Sequence, residues 1–302
     1  MDAFNFLKLV YDEHVIYQLN FKIKLSGDGS MDEKQRLFRS QYQAATSPYY
    51  NGVLHGLFVF GLGIALIVAA LNQVQAASWA WLGVPATLLI ANLNEWYVHK
   101  NRLHKRGKNR LSQLIWHRHT KEHHHYFTHE EMRVASTREY RIVFFPAYAL
   151  VLIAIQSILL GLVCALVAGR NLGYIVFATA IAFYLLYEAM HFLCHVDENS
   201  VVRHLPLVNT MRRNHMVHHT QALMTDYNMN LTFPFADWLL GTSDLQRSLL
   251  GTIFNGYASQ HLKPEVARRY QELGMQPPAP HVQAPLQPVS VVVLSPDAKK
   301  NL

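Results

Sequence analysis

Ten of the eighteen histidines fall into four short clusters: His99-x4-His104, His119-x3-His123-His124, His191-x3-His195 and His215-x2-His218-His219. Neutral imidazole is the commonest protein ligand for transition metals. One ion takes about four to six ligands. Ten imidazoles, laid out in two similar halves of one chain, therefore point to a two-metal site. No cysteine is in a position to help, so the donors are nitrogen, suited to iron, zinc, copper or nickel.

The spacings say which rings can point together. Positions four apart share a helical face, which pairs His191 with His195, His119 with His123 and His215 with His219. His99 and His104 are five apart and share a face only if the α-helix ends between them. Glu95 and Glu188 lie about one turn before His99 and His191. A carboxylate there can accept the spare ring N–H of a ligating histidine and fix its tautomer; the alternative is an ordinary polar contact inside a helical bundle. His117, His125 and His129 crowd the second cluster and His204 lies between the last two, whereas His14, His55, His261 and His281 read as ordinary residues. A single His-x3-His is common on protein surfaces; four clusters in this order are not.

The elements that must position these rings are apolar. The composition is 51% hydrophobic and 16% charged, and the apolar residues gather in four runs: Val53–Leu71, Trp79–Val98, Val143–Ala168 and Leu172–Val196. Each approaches or exceeds the roughly 20 residues that a spanning helix needs. The second and fourth carry polar groups near their C-terminal ends, Asn92, Asn94 and Glu95 in one and Glu188, His191 and His195 in the other. Ionisable groups at such depth normally face a protein interior and serve function. The predicted fold is all-α: four transmembrane helices capped by a cytosolic, His-rich helical metal domain.

Charge orients the bundle. Of 27 Lys and Arg residues, all but Arg170 lie in the N-terminal segment, the 99–142 loop or the region after 196. The positive-inside rule then places both termini and all four clusters in the cytoplasm. The net charge of +7 fits this bias and contact with anionic headgroups. No nucleic-acid-binding motif accompanies it. The mixed N-terminus predicts no cleavable signal peptide. Cys164 and Cys194 fall inside predicted spans and read as packing residues.

The expected organisation is a cytosolic lead-in over 1–52, with an amphipathic helix at Asp32–Tyr42, then a membrane domain over 53–245. A cytosolic helical region follows over 246–275, and then a tail over 276–302 that holds six of the twelve prolines and has no helical period. Lys299-Lys300-Asn301-Leu302 looks like a retrieval signal for the endoplasmic reticulum, and a bacterial inner membrane is the other location considered.

At residues 50–245 the chain resembles the fatty acid hydroxylase superfamily of membrane di-metal lipid oxygenases, which includes sterol desaturases. The resemblance rests on Glu95-Trp96-x2-His99-x4-His104, on His119-Thr120-x2-His123-His124-x-Tyr126-Phe127, on His191-x3-His195 and on His215-x2-His218-His219. A closing block, Asn228-x3-Thr232-x-Pro234-x2-Asp237-x-Leu239-x-Gly241-Thr242, is also similar. One departure stands out: many members have two residues, not three, before the paired histidines of the second box. This leaves His119 and His125 as alternatives for its first ligand. The resemblance implies four spans, two irons in the working enzyme (zinc in isolated protein) and O2-dependent hydroxylation or desaturation of a lipid or fatty acyl chain.

An unactivated C–H bond lies beyond side-chain acid–base chemistry and needs a redox metal. The chain carries no dinucleotide fingerprint and no cysteine set for an iron–sulfur cluster, so electrons are expected from a ferredoxin or a cytochrome b5-like protein. Phe183, Tyr184, Tyr187 and Phe192 are candidates to line a substrate channel or to pack the bundle. Two rival classes are a metal transporter, whose ligands should lie near the midplane on broken helices, and a zinc hydrolase, which needs about three protein ligands.

Overall fold

The computed structural model describes residues 31–75, 79–205 and 207–279. The sequence readings for 1–30, 76–78 and 280–302, including the Lys299-Lys300 signal, His14 and His281, lie outside the described residues. The architecture is helical, with a single isolated bridge, Leu245 to Leu262, among the described residues.

Helix α1, Met31–Ala45, belongs to a unit separate from residues 52–284. It contains the amphipathic segment expected there. Gln35, Phe38, Arg39 and Tyr42 fall on one buried face, and Leu37 is exposed.

Three helices are long and apolar enough to cross a membrane: α2 at Gly52–Leu71, the stretch Thr137–Ala168, and Arg170–His195. The regular part of the second is α4, Tyr148–Ala168. The expected span at Trp79–Val98 is divided. Trp79–Leu82 forms a 3₁₀ turn, and α3 runs only from Gly83 to Val98. The last long helix, α5 (Arg170–His195), packs against α2, α3 and α4.

The burial pattern separates these helices. In its most apolar window α5 is 67% buried, against 17% for α2 and 22% for Thr137–Ala168. The outer helices turn Leu57, Phe58, Ile64, Leu159, Leu162 and Val163 outward, side chains that only an apolar solvent would wet without cost. Inside, Val59, Leu150, Ala154, Ile181, Tyr184 and Leu185 form one core cluster.

Small residues set the spacing of the α4–α5 hairpin. A Cβ on Gly173 would stand 2.5 Å from the Gly161 carbonyl oxygen, so the two backbones touch there. Gly169, at φ 92°, supplies the positive φ that turns one helix into the other. This turn also meets the segment that follows α2: Gln75 donates its backbone N–H to Asn171 Oδ1 at 3.1 Å.

Beyond α3 the chain forms a π-helical turn at His99–Leu103, helix Arg110–Trp116 and a second π-helical turn at His117–His123. After α5, helix α6 at Val208–His218 returns along its end, and α7 at Pro264–Glu272 packs through Val266 and Tyr270 against Val217 and Leu223. Cys164 and Cys194 are free thiols, half-buried and buried.

Candidate metal centre

All ten clustered histidines are buried, none more than 7% exposed. They arrive from four places: the end of α3, the second π turn, the C-terminal end of α5, and α6. Their Nε2 atoms converge into two groups, each able to hold a metal ion. The first contains His99, His104, His119, His124 and His218; the second contains His123, His191, His195 and His215. His219 joins the second through an Nε2–Nε2 contact of 3.1 Å with His215, and its ring stacks on His124 of the first at 4.2 Å.

The π turns explain how the first two boxes work. In a π turn the backbone bond closes from i to i+5, one residue further than in an α-helix. His104 donates its N–H to the His99 carbonyl at 3.2 Å, and the two rings stack 5.1 Å apart. The helix need not end between them, as the sequence reading required; it widens. His124 donates to the His119 carbonyl in the same way. The extra residue of the second box is thus absorbed by the wider turn. His119 and His124 share the first group, while His123 crosses to the second. His125 lies outside both, with Nδ1 on the Thr120 carbonyl at 3.2 Å.

Backbone carbonyls fix the rings. The Nδ1 atoms of His99, His123, His195, His218 and His219 lie at 2.5, 3.0, 2.7, 3.1 and 2.7 Å from the carbonyl oxygens of Met229, Ile142, Met132, Tyr227 and Phe127. A carbonyl only accepts, so each of these Nδ1 atoms is inferred to carry the proton and each Nε2 presents a lone pair. His104 has a weaker neighbour, Thr120 Oγ1 at 3.5 Å from its Nδ1.

Those lone pairs face other nitrogens. In the first group His119 Nε2 stands 2.9 Å from that of His99, 3.2 Å from His104 and 3.1 Å from His124. In the second, His195 Nε2 is 3.3 Å from His191 and 3.1 Å from His215. A proton can bridge two such nitrogens, but not four. A cation satisfies them together: two imidazole nitrogens, each about 2.1 Å from one ion and about 90° apart, stand about 3.0 Å from each other. The residues fit transition-metal ions.

Burial keeps the rings in the ligand form. Desolvation lowers His99 to about 4 and, with help from neighbouring histidines, His104 to about 2. It lowers His123 to about 3 despite the Ile142 carbonyl. His119, His124, His215, His218 and His219 are likewise held well below their ordinary value by burial and by one another.

Of the two roles open to them, both carboxylates make polar contacts inside the bundle. Glu95 accepts from Leu231 N at 2.5 Å, from Thr232 N at 3.1 Å and from Thr232 Oγ1 at 2.6 Å. Glu188 accepts from Tyr184 Oη at 2.6 Å and from Phe145 N at 3.3 Å. The reason is reach: His99 and His191 turn their rings toward the metal groups, and the carboxylates meet neighbouring backbone instead. Glu95 thereby ties α3 to the closing block. That block supplies Met229 O, and the residue before it supplies Tyr227 O. Asn228 lies at φ 56°, and Asp237 accepts from Met229 N and Asn230 N at 2.9 and 2.7 Å.

The carbonyls, then, are the site atoms that sequence reasoning missed; backbone leaves no mark in a sequence. Arg213, in a fully buried 2.5 Å ion pair with Asp244 beside the α6 histidines, was also missed. The four channel candidates pack: Phe192 stacks on Phe144, Tyr187 on Phe145, Tyr184 bonds Glu188 and Phe183 is buried.

No protein-family model, no curated protein and no solved structure matches the chain.

Proposed function

We propose that the chain is a membrane-bound di-iron oxygenase that hydroxylates a lipid or fatty acyl chain. The observation that carries the reading is the convergence of ten imidazoles into two all-nitrogen groups at one end of apolar helices. His195 and Arg170 terminate the same 26-residue helix, so the groups lie about 39 Å from the 169–173 turn, more than the roughly 30 Å of a hydrocarbon core. In the reading, α3 and its 3₁₀ turn complete a fourth, short span. The Gln75–Asn171 contact would then mark one face of the membrane and the histidine groups the other, and the bias of basic residues supports the cytosolic side for the latter. A place at the end of that helix, away from mid-membrane, argues against a transporter site. Nine or ten imidazoles exceed what a zinc hydrolase uses.

The balance is R–H + O2 + 2e− + 2H+ → R–OH + H2O. Iron held by the imidazoles would supply the O2 and one-electron chemistry that side chains lack. The chain's own part is to fix tautomers through five carbonyls and to exclude water with Tyr126 and Phe127, both fully buried. Phe127 packs 4.1 Å from the His195 ring. Electrons come from a ferredoxin or cytochrome b5-like donor. Desaturation at the same site is the alternative outcome.

The test is to purify the protein, measure metal per chain, and supply O2, reductant and a lipid panel. A product heavier by one oxygen supports hydroxylation, and one lighter by two hydrogens supports desaturation. Turnover retained in His191→Ala or His219→Ala, with insertion normal, would remove the imidazole groups from the reaction.

A further inference from the structure

One apolar surface lies outside both the helices long enough to span and the metal groups. Trp238, Leu239 and Leu240, at the end of the short helix Phe235–Leu239, are exposed. So are Leu250 (67%) and Phe254 (76%), on and just after helix Leu249–Ile253. The two short helices are in contact, which brings these exposed apolar residues into one region of the surface.

Its position is set by α3. Asn92, in the C-terminal half of α3, donates to the Phe233 carbonyl at 2.9 Å and accepts from Ala236 N at 3.0 Å. One turn on, Trp96 donates Nε1 to Thr242 Oγ1 at 2.7 Å. The segment 233–242 is therefore held alongside the last two turns of α3, and the same helix exposes Leu89 and Ile90 earlier along its length. The patch is thereby tied to a helix that exposes apolar residues.

Its charge is one-sided. Between 235 and 263 the only acidic residues are Asp237 and Asp244, and both are buried. Lys263 donates to the Gly241 carbonyl at 2.8 Å, at the edge of the patch, and Arg247 packs on Gly251. A tryptophan and large aliphatic side chains flanked by cations are what a segment lying in the headgroup–acyl boundary requires.

We infer that residues 235–254 form a membrane-embedded shelf beside α3, with Trp238, Leu239, Leu240, Leu250 and Phe254 inserted among lipid acyl chains and Arg247 and Lys263 at the phosphates. The shelf rests on the proposed crossing of the bilayer by α3. It moves part of the expected cytosolic region 246–275 into the lipid boundary.

The test uses the full chain in nanodiscs of phosphatidylcholine and phosphatidylglycerol, with Cys164→Ala and Cys194→Ala as background. Single cysteines at Leu239, Leu250 and Phe254 carry nitroxide labels. Ile90→Cys reports on α3, and Glu272→Cys is an aqueous reference. Collisions with O2, which concentrates in lipid, are compared with those of a water-soluble nickel chelate. The expected O2-to-nickel ratio at all three shelf positions is several-fold above that at Glu272 and close to that at Ile90. Water-like values at the shelf with lipid-like values at Ile90 would overturn the shelf and leave the α3 span standing. Water-like values at Ile90 would overturn both. Protection from both reagents at the shelf would mean a protein covers it, and would also overturn the inference.

Discussion

The two imidazole groups reach the same end by different backbones. The second takes His191 and His195 from one α-helix and His215 from another, with His219 following four residues later. These are ordinary i, i+4 pairs, and both helices are regular through them. The first takes four of its five rings from two π-helical turns. The anchoring differs too. His99 and His218 of the first group are held by carbonyls of residues 227–229, and His123 and His195 of the second by Ile142 and Met132. Serving both groups does not itself need a widened turn, since the regular helix α6 gives His215 to the second group and His218 to the first. The wider turn does something else: it brings rings five apart, His119 and His124, into one group while His123 goes to the other.

The sharpest way to break this division is by metal content. His119→Ala removes the nitrogen that faces three others and should empty the first group while the second keeps its metal. His195→Ala should do the reverse. Elemental analysis of both purified variants decides it, and equal loss of all metal in both would merge the two groups into one site. Next in size is the ion pair under α6, the helix that serves both groups. Arg213→Ala leaves Asp244 charged and buried, and should cost about 3–5 kcal/mol in thermal unfolding with metal lost from both.

The pH dependence of the metal-free protein tests the burial of the rings. His99 is held at about 4 against an ordinary 6.5. Between those values the unfolded chain binds more protons than the folded one, so stability is full above about pH 6.5 and falls as pH drops. His99 alone should contribute a loss of about 3 kcal/mol by about pH 4, and His104 and His123 extend the loss further down. A chelated sample whose melting temperature stays level across that range would show that the rings are hydrated. A smaller effect is expected away from both groups: Gly173→Val at the α4–α5 contact should cost about 1–3 kcal/mol through overpacking, read as reduced thermal stability with metal content unchanged. Smallest of all, His125→Ala should leave metal content at the wild-type value, because that ring lies outside both groups.

How much of this was legible follows from what leaves a trace in side-chain type. The ten histidines were legible because imidazole is distinctive, and so were the α-helical pairs, because a spacing of four is unambiguous. The π turns were not. A spacing of five reads as a broken face in an α-helix, and nothing in His99-Lys100-Asn101-Arg102-Leu103-His104 announces a wider turn. The apolar runs gave three helices close to their observed limits. The fourth, Trp79–Val98, ends in the structure as a 3₁₀ turn and a 16-residue helix. Its polar end, Asn92 and Glu95, is committed to the closing block. That same block was visible as a motif, but its role was not, since it acts through its main-chain oxygens. For Glu95 and Glu188 the sequence left two roles open, a contact to the neighbouring histidine or a polar contact inside the bundle, and both carboxylates make the second, to backbone nitrogen and to the hydroxyls of Thr232 and Tyr184.

The bond from His99 to Met229 joins residues 130 positions apart, and it has a consequence for biosynthesis. When the ribosome has made the first hairpin and the 99–124 segment, five of the ten rings are already present, yet neither nest is finished. The first lacks His218 and the second lacks His191, His195, His215 and His219, all supplied by later sequence. A nascent chain thus offers stray ions only partial chelators; the last ring comes with His219, and the carbonyl that orients His99 only with residue 229. Loading with a metal would thereby wait until residue 229 has been added and folded back.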